Sequence, residues 1–368
     1  MSESNLKKTS LILSAVLSLF LYGCSAPNPA PDSPAYIFHQ FVLPPHPRRG
    51  SYASSTIGTT FAEPTKLGRH SYSISLTEQN GIVYTCRGGH IDLAHVRKCV
   101  DWTAYIASGV YKKLMKNRSS MSFKMLEPSR YHVYVHYPQG WSRLSQKDKD
   151  RIAFEVSIEI ARHVVYIAAT WHEIITWFGY KFPGLYSEFP SAFSWEDIYS
   201  NLLGTHIGAR ALRDNRGNFD EAVTAAIDIA LENLIVQPAD IARKASEMVR
   251  DKWFSGDYLF FVKITARNFD IGFDDGFVKP FLVDGLEQCK DIDIFLLDVP
   301  SLDSLRQYGF TAEMEIEPRE WETDRILKIV YPSSYNRPKH IIPAIHFPVI
   351  VDYIKKHAEE NVTPFLGP

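Results

Sequence analysis

Two short stretches of this chain hold side chains able to ligate a metal or move a proton. One is Trp171-His172-Glu173, near the end of a run from Ser145 to Tyr180. The other is Gly88-Gly89-His90-Ile91-Asp92-Leu93-Ala94-His95, in which Asp92 and His95 stand three positions apart. On a helix that spacing places both side chains on one face, one turn apart. Asp92, His95 and His172 make a three-ligand set suited to a divalent metal, zinc foremost, with a fourth position open to water. Glu173, about 100° further round the helix than His172, is then the candidate catalytic base. His90 and Glu196 are candidate auxiliary ligands. Each residue also has a plain structural reading. Asp92 can cap a helix, His95 and His172 can be hydrogen-bonded core histidines, and Glu196 can belong to the cap formed by Ser194 and Asp197. The zincin pattern His-Glu-x-x-His fails, because Thr176 stands where the second His would fall. A metal-free site would use Glu173 as base with His95 or His172. Ser194 lacks the Gly-x-Ser-x-Gly surroundings of a nucleophile elbow, and Cys86 or Cys99 with His95 would suit a thiol enzyme only if unpaired.

The elements that must position these groups follow from periodicity. Ser145 is an N-cap candidate, Asp148 and Asp150 place negative charge in the first turns, and most positions from Val164 to Phe178 are apolar. A helix apolar nearly all round is buried, and this run is too short to span a bilayer. Ionisable groups in such an interior need a partner, because desolvating a charge is costly. A second helix is expected from His90 or Asp92 to about Met115, with Asp92, His95, Cys99 and Trp102 on one face. Residues 71–76 and 82–86 alternate as two strands of a hairpin around Asn80-Gly81. Residues 131–137 form another strand, with His132, Tyr134 and His136 on one side. A helix over 198–212 carries Gly204 and Gly208, which let another helix approach closely. Residues 219–253 read as two helices split at Gln237-Pro238. Strand-like runs follow at 258–264, 294–297, 311–316 and 326–330, with helices over 301–308 and 346–360. The fold class is therefore α+β: a mainly helical central core over 91–253, a strand-rich N-terminal hairpin, and a mixed C-terminal third over 254–368, in one large domain spanning 69–368.

The first 24 residues read as a lipoprotein signal peptide: Lys7 and Lys8, an apolar stretch from Leu11 to Tyr22, then Leu21-Tyr22-Gly23-Cys24. Cys24 would carry the lipid (two or three acyl chains, palmitate among them) and anchor the protein to the membrane. Ser25 after the cysteine points to the outer membrane, periplasmic or surface-facing. Residues 25–68 hold eight prolines and read as a Pro/Ser-rich tether, with the Phe38–Leu43 patch able to dock on the domain. Arg48-Arg49 is too small a basic cluster to indicate a partner. A net charge of −2 gives no sign of nucleic-acid binding. In an oxidising compartment Cys86 and Cys99 are candidates for a disulfide, which would add roughly 3 kcal/mol in the chain-entropy model and leave Cys289 unpaired. They read equally as two small buried hydrophobes.

Three segments carry a family resemblance: Gly88 to Arg97, Trp171-His172-Glu173-Ile174-Ile175-Thr176-Trp177-Phe178-Gly179, and Ser191 to Asn201. Together they resemble the bacterial family filed as domain of unknown function 4056. That resemblance implies an envelope protein, commonly a lipoprotein, and supplies no activity. Besides the metal-free acid/base or nucleophilic enzyme already described, two functions are expected on the residues alone. One is a metal-dependent hydrolase acting on a cell-wall or other envelope substrate. The other is a non-enzymatic outer-membrane lipoprotein serving as a scaffold or binding module.

Overall fold

The computed structural model describes residues 33–48, 60–74, 77–181, 189–214, 218–257, 260–333 and 337–361. The expected signal peptide and Cys24 lie outside them. In chain order the first elements are α1 (Pro34–His39), β1 (Ile82–Thr85), β2 (Gly89–Asp92), α2 (Leu93–Leu114), β3 (Ser120–Lys124), β4 (Arg130–His136) and α3 (Gln146–Trp177). Next come α4 (Asp197–Asp214), α5 (Phe219–Asn233), β5 (Val236–Gln237), α6 (Ala239–Met248), β6 (Phe254–Asp257), β7 (Phe260–Ile264), β8 (Phe277–Val278), β9 (Leu297–Asp298), β10 (Thr311–Glu317), α7 (Thr323–Val330) and α8 (Pro343–Asn361). The α+β class and the helical middle are as the periodicity indicates.

The helices start where their caps put them. Asp92 Oδ1 accepts from Ala94 N at 2.8 Å and begins α2, and Ser145 Oγ accepts from Asp148 N at 3.1 Å and begins α3. A cap of this kind contributes ~1 kcal/mol by satisfying an otherwise orphaned N–H. α2, α3 and α4 pack on one another at the centre. Gly204 and Gly208 make the α2–α4 approach possible: a Cβ on Gly204 would sit 2.4 Å from the Val96 carbonyl oxygen, and one on Gly208 3.0 Å from that of Val100. Two antiparallel three-stranded sheets flank the helices, in the orders β2-β1-β5 and β10-β4-β3.

The structure corrects several expectations. Residues 71–74 form no strand, and 75–76 lie outside the described residues. Their amides are taken by carboxylates instead, Ser71 N by Glu78 Oε1 and Tyr72 N by Asp220 Oδ1. β1 pairs with β2 across a turn at Cys86-Arg87-Gly88, so the partner strand of Ile82–Thr85 follows it rather than preceding Asn80-Gly81, and the helix begins only at Leu93. Gly89 has φ +67°, and a Cβ there would meet the Phe281 carbonyl oxygen at 2.0 Å. Residues 323–330 form helix α7, because Ile326 and Leu327 bury one side of a single face rather than alternating.

The stretch expected to be an extended tether is packed in its described parts. Ile37, Phe38, Phe41, Ala62 and Leu67 join the main hydrophobic cluster, which reaches Ala358 and so unites the helical middle with the C-terminal third. Arg48 explains the docking. Its guanidinium is buried, with Nη1 2.5 Å from Asp101 Oδ2 on α2 and Nη2 2.8 Å from Glu78 Oε1. His70 Nε2 adds a contact of 2.9 Å to Asp101 Oδ1. Such a network is stable only because each charge meets an opposite one with good geometry. The disulfide also differs from expectation: Cys86 bonds Cys289 across a separation of 203 residues, and Cys99 is a free, buried thiol. Cys99 lies inside the α2–α4 contact, where its Sγ donates to Asn201 Oδ1 at 3.3 Å.

Candidate functional site

Two helix N-termini and the C-terminal half of α3 meet at one buried junction. Asp92 caps α2, Asp197 is the first residue of α4, and Glu173 comes from α3. Exposed N–H groups and the helix dipole favour negative charge at both helix starts, which is how the fold tolerates several carboxylates together. His95, one turn into α2, lies between them. Its Nδ1 is 3.0 Å from Asp197 Oδ1 and 3.4 Å from Asp92 Oδ2.

Each carboxylate is also fastened to backbone. Asp197 Oδ2 accepts from Ser194 N at 3.1 Å, the acidic half of the expected cap. Glu173 Oε2 accepts from Phe193 N at 2.7 Å. The Asp92 amide itself donates to Ser200 Oγ at 3.0 Å, tying β2 to α4.

The electrostatics divide these groups into two kinds. Burial, and then the charge of Asp197, raise the Glu173 carboxyl to about 7, against the pull of His172, the Phe193 amide and His95. Burial and Asp197 push Glu196 far above the carboxylate range as well. Asp197 is opposite: burial works against its charge, but the charge and contact of His95, with Ser194 and Lys98, hold it below its ordinary value. The junction therefore sets a carboxyl raised to about 7 beside an Asp197 carboxylate held low and in contact with His95, a separation characteristic of acid/base sites.

His172 does not join the couple. Its Nδ1 lies 2.9 Å from Glu127 Oε1, in the loop between β3 and β4. Burial alone would lower the imidazole, but Glu127 outweighs it and raises His172 to about 9. About a quarter of the His172 side chain and 15% of that of His95 are exposed, and Lys98 is half-buried beside them. His90 sits apart in an aromatic surrounding of Tyr84, Trp195 and Trp253, and burial lowers it to about 3. The expected trio Asp92, His95 and His172 is thus divided, and among the described residues no group of three or more His, Cys, Asp or Glu side chains is arranged to hold a metal ion. The thiol option loses its geometry too: burial raises Cys99 to about 11, and Cys86 is in the disulfide.

Sequence reasoning treated Asp197 only as a cap and did not single out Glu127, Lys98 or Arg267. Asp197 had a detectable signal, since an acid at the start of an apolar helix next to Glu196 is unusual company. Glu127 lies in a loop with no pattern around it. Arg267 belongs to the same field, its charge reaching Glu173 and Asp197, and burial lowers it only to about 10, so it stays cationic at neutral pH. Among the described residues no helix is long and apolar enough to cross a membrane.

One family model, described as "Protein of unknown function (DUF4056)", matches residues 53–272, a span that includes all of these site residues. No curated protein and no solved structure matches the chain.

Proposed function

The chain belongs to this family, whose description assigns no reaction, and on the chemistry of the site we propose that it is an acid/base hydrolase of the cell envelope. The observation that carries the proposal is the meeting of Glu173 with the Asp92–His95–Asp197 couple from three separate chain segments. A group that titrates near neutral pH is the most effective proton carrier there. Glu173 takes a proton from water as the water attacks the electrophilic carbon of the substrate. His95, oriented by its contacts with Asp92 and Asp197, gives a proton to the leaving group. Substrate reaches the junction along the part-exposed edge of His95, Lys98 and His172, where the Lys98 and His172 cations suit an anionic or strongly polar envelope molecule.

A divalent ion, zinc in the sequence reading, would have to sit among Asp92, His95 and Asp197. Those side chains are committed to one another and to backbone amides, so they do not fit a metal ion. The leader and Cys24 support placement at the outer membrane, with cell-wall material, lipid or peptide as substrate.

The scaffold reading has its own support. Asp92, Glu173 and Asp197 each satisfy a backbone N–H that ordinary folding must satisfy. The test compares wild type with E173Q on peptidoglycan fragments, phospholipid vesicles and peptides, with and without chelator. Hydrolysis of one class, insensitive to chelator and reduced ~10²–10⁴-fold in E173Q at unchanged Tm, is expected. No turnover of any class, with E173Q altering only Tm, establishes the scaffold. Chelator-sensitive turnover restores the metal.

A further inference from the structure

A second site lies in the C-terminal third. Residues 267–281 and α8 enclose a cleft of about 570 Å³, a size suited to a small organic ligand. Phe269, Phe273, Phe281 and Val351 give it apolar walls, and Arg267 and Lys355 also line it. Arg267 is 4% exposed. Its Nη1 and Nη2 donate to the carbonyl oxygens of Ala192 and Phe189, which are neutral acceptors. Its guanidinium lies 5.1 Å from the Trp177 ring centroid and 5.4 Å from that of Phe189. Its Nε has no hydrogen-bond partner among the described residues. A buried guanidinium normally meets a carboxylate or phosphate, often through two parallel N–H donors. Here a donor is left over on a residue that lines an open cleft.

We propose that this cleft binds a small monocarboxylate with an apolar body, the carboxylate on Arg267 and the body along the phenylalanine wall. The acids around the cleft favour one negative charge over two. Asp270 has both oxygens engaged, by Gly272 N at 3.0 Å and Lys279 N at 2.9 Å, and Asp275 lies 3.6 Å from Lys279 Nζ. Asp274 and Asp352 are exposed on the rim, where solvent screens them but a dianion would still be repelled. Exposed Lys355 offsets part of that repulsion. The assignment does not depend on hydrolysis at Glu173.

The test is calorimetric titration of the whole mature protein at pH 7 with octanoate and with N-acetylphenylalanine, each beside its uncharged counterpart, 1-octanol or N-acetylphenylalaninamide. At least one acid should bind ten times or more tighter than its counterpart. Which acid does so separates a free acyl chain from a peptide C-terminus as the source. R267Q should abolish the preference. K355E, on the exposed rim and harmless to folding, should weaken the acid several-fold and leave the uncharged ligand unchanged, which keeps the test decisive if R267Q does not fold. Equal binding of acid and counterpart, no binding of any of the four at millimolar concentration, or an acid preference that K355E leaves intact would overturn the proposal.

Discussion

Oδ1 of Asp197 lies 3.0 Å from Nδ1 of His95, so the first turn of α4 is joined to the first turn of α2 by a charged contact. Both groups sit at helix starts, where a carboxylate is stabilised and an imidazolium is not. Asp197 and Asp92 flank His95 there, at 3.0 and 3.4 Å from its Nδ1. Asp197 also crowds Glu173, and Asp197 and Asp92 both crowd Glu196; burial and these like charges raise both carboxyls.

Glu173 therefore makes stability depend on pH in a defined direction. Its carboxyl rises from an ordinary 4.5 to about 7 in the folded chain. Between those values the folded form holds a proton that the unfolded form has lost, so unfolding free energy falls as pH rises through that window. The loss is on the order of 3 kcal/mol, at roughly 1.4 kcal/mol per tenfold. E173Q removes it. Urea denaturation at pH 5 and pH 8 should show E173Q gaining on wild type at the higher pH, and a constant difference would contradict the assignment. If the hydrolase proposal holds, kcat/KM of wild type should rise with pH through about 7.

The His172–Glu127 pair also loses stability as pH rises, but in a higher window. Glu127 raises His172 to about 9, so its contribution is complete below the ordinary imidazole value and disappears as pH climbs through about 9. Glu127 is held below its ordinary value despite burial, so its own share is lost in acid. E127Q should cost about 2–3 kcal/mol at pH 7, discounted from a fully buried pair because His172 is partly exposed. The cost should shrink above pH 9. An NMR titration of the His172 ring should show its midpoint falling by more than one pH unit in E127Q.

Gly204 sets the distance between the two helices that carry the site. Alanine normally favours a helix over glycine by about 1 kcal/mol. Here the added Cβ would stand 2.4 Å from the Val96 carbonyl oxygen and 2.7 Å from Cys99 Cβ, neither of which can swing aside. G204A should destabilise by ~1–3 kcal/mol. Thermal unfolding measures this directly, and a raised Tm would show that α2 and α4 do not pack as described.

The Cys86–Cys289 bond closes a very long loop. In the chain-entropy model such a bond stabilises by about 5 kcal/mol, at the upper end of what disulfides deliver. C289S should lower Tm by many degrees under non-reducing conditions, and reductant should erase the difference between variant and wild type. Peptide mapping should recover Cys86 with Cys289 and leave Cys99 alkylatable only after unfolding. A Cys86–Cys99 peptide would refute the connectivity.

Local rules located most of the helices, because caps and apolar periodicity act within a few residues. Ser145, Asp92 and the Gln237-Pro238 break all stand at helix boundaries in the structure. The strand expected over 326–330 failed because four apolar residues around Lys328 fit either period in so short a run, and the packing of Ile326 and Leu327 decided for helix. In the described parts of 25–68 the chain packs instead of extending, because proline content says nothing about a buried arginine whose partners, Glu78 and Asp101, lie 30 and 53 residues on.

For the site, the amino-acid sequence by itself determined that Asp92 and His95 share one helical turn and that Glu173 belongs to an apolar helix. Only the tertiary structure decided that Asp197 completes the couple, that His172 turns away to Glu127, and that Cys289 takes Cys86. Helical spacing is set by backbone hydrogen bonds between near neighbours. Which charges meet across helices depends instead on how closely α2 and α4 pack at Gly204 and Gly208, a contact that joins segments about a hundred residues apart.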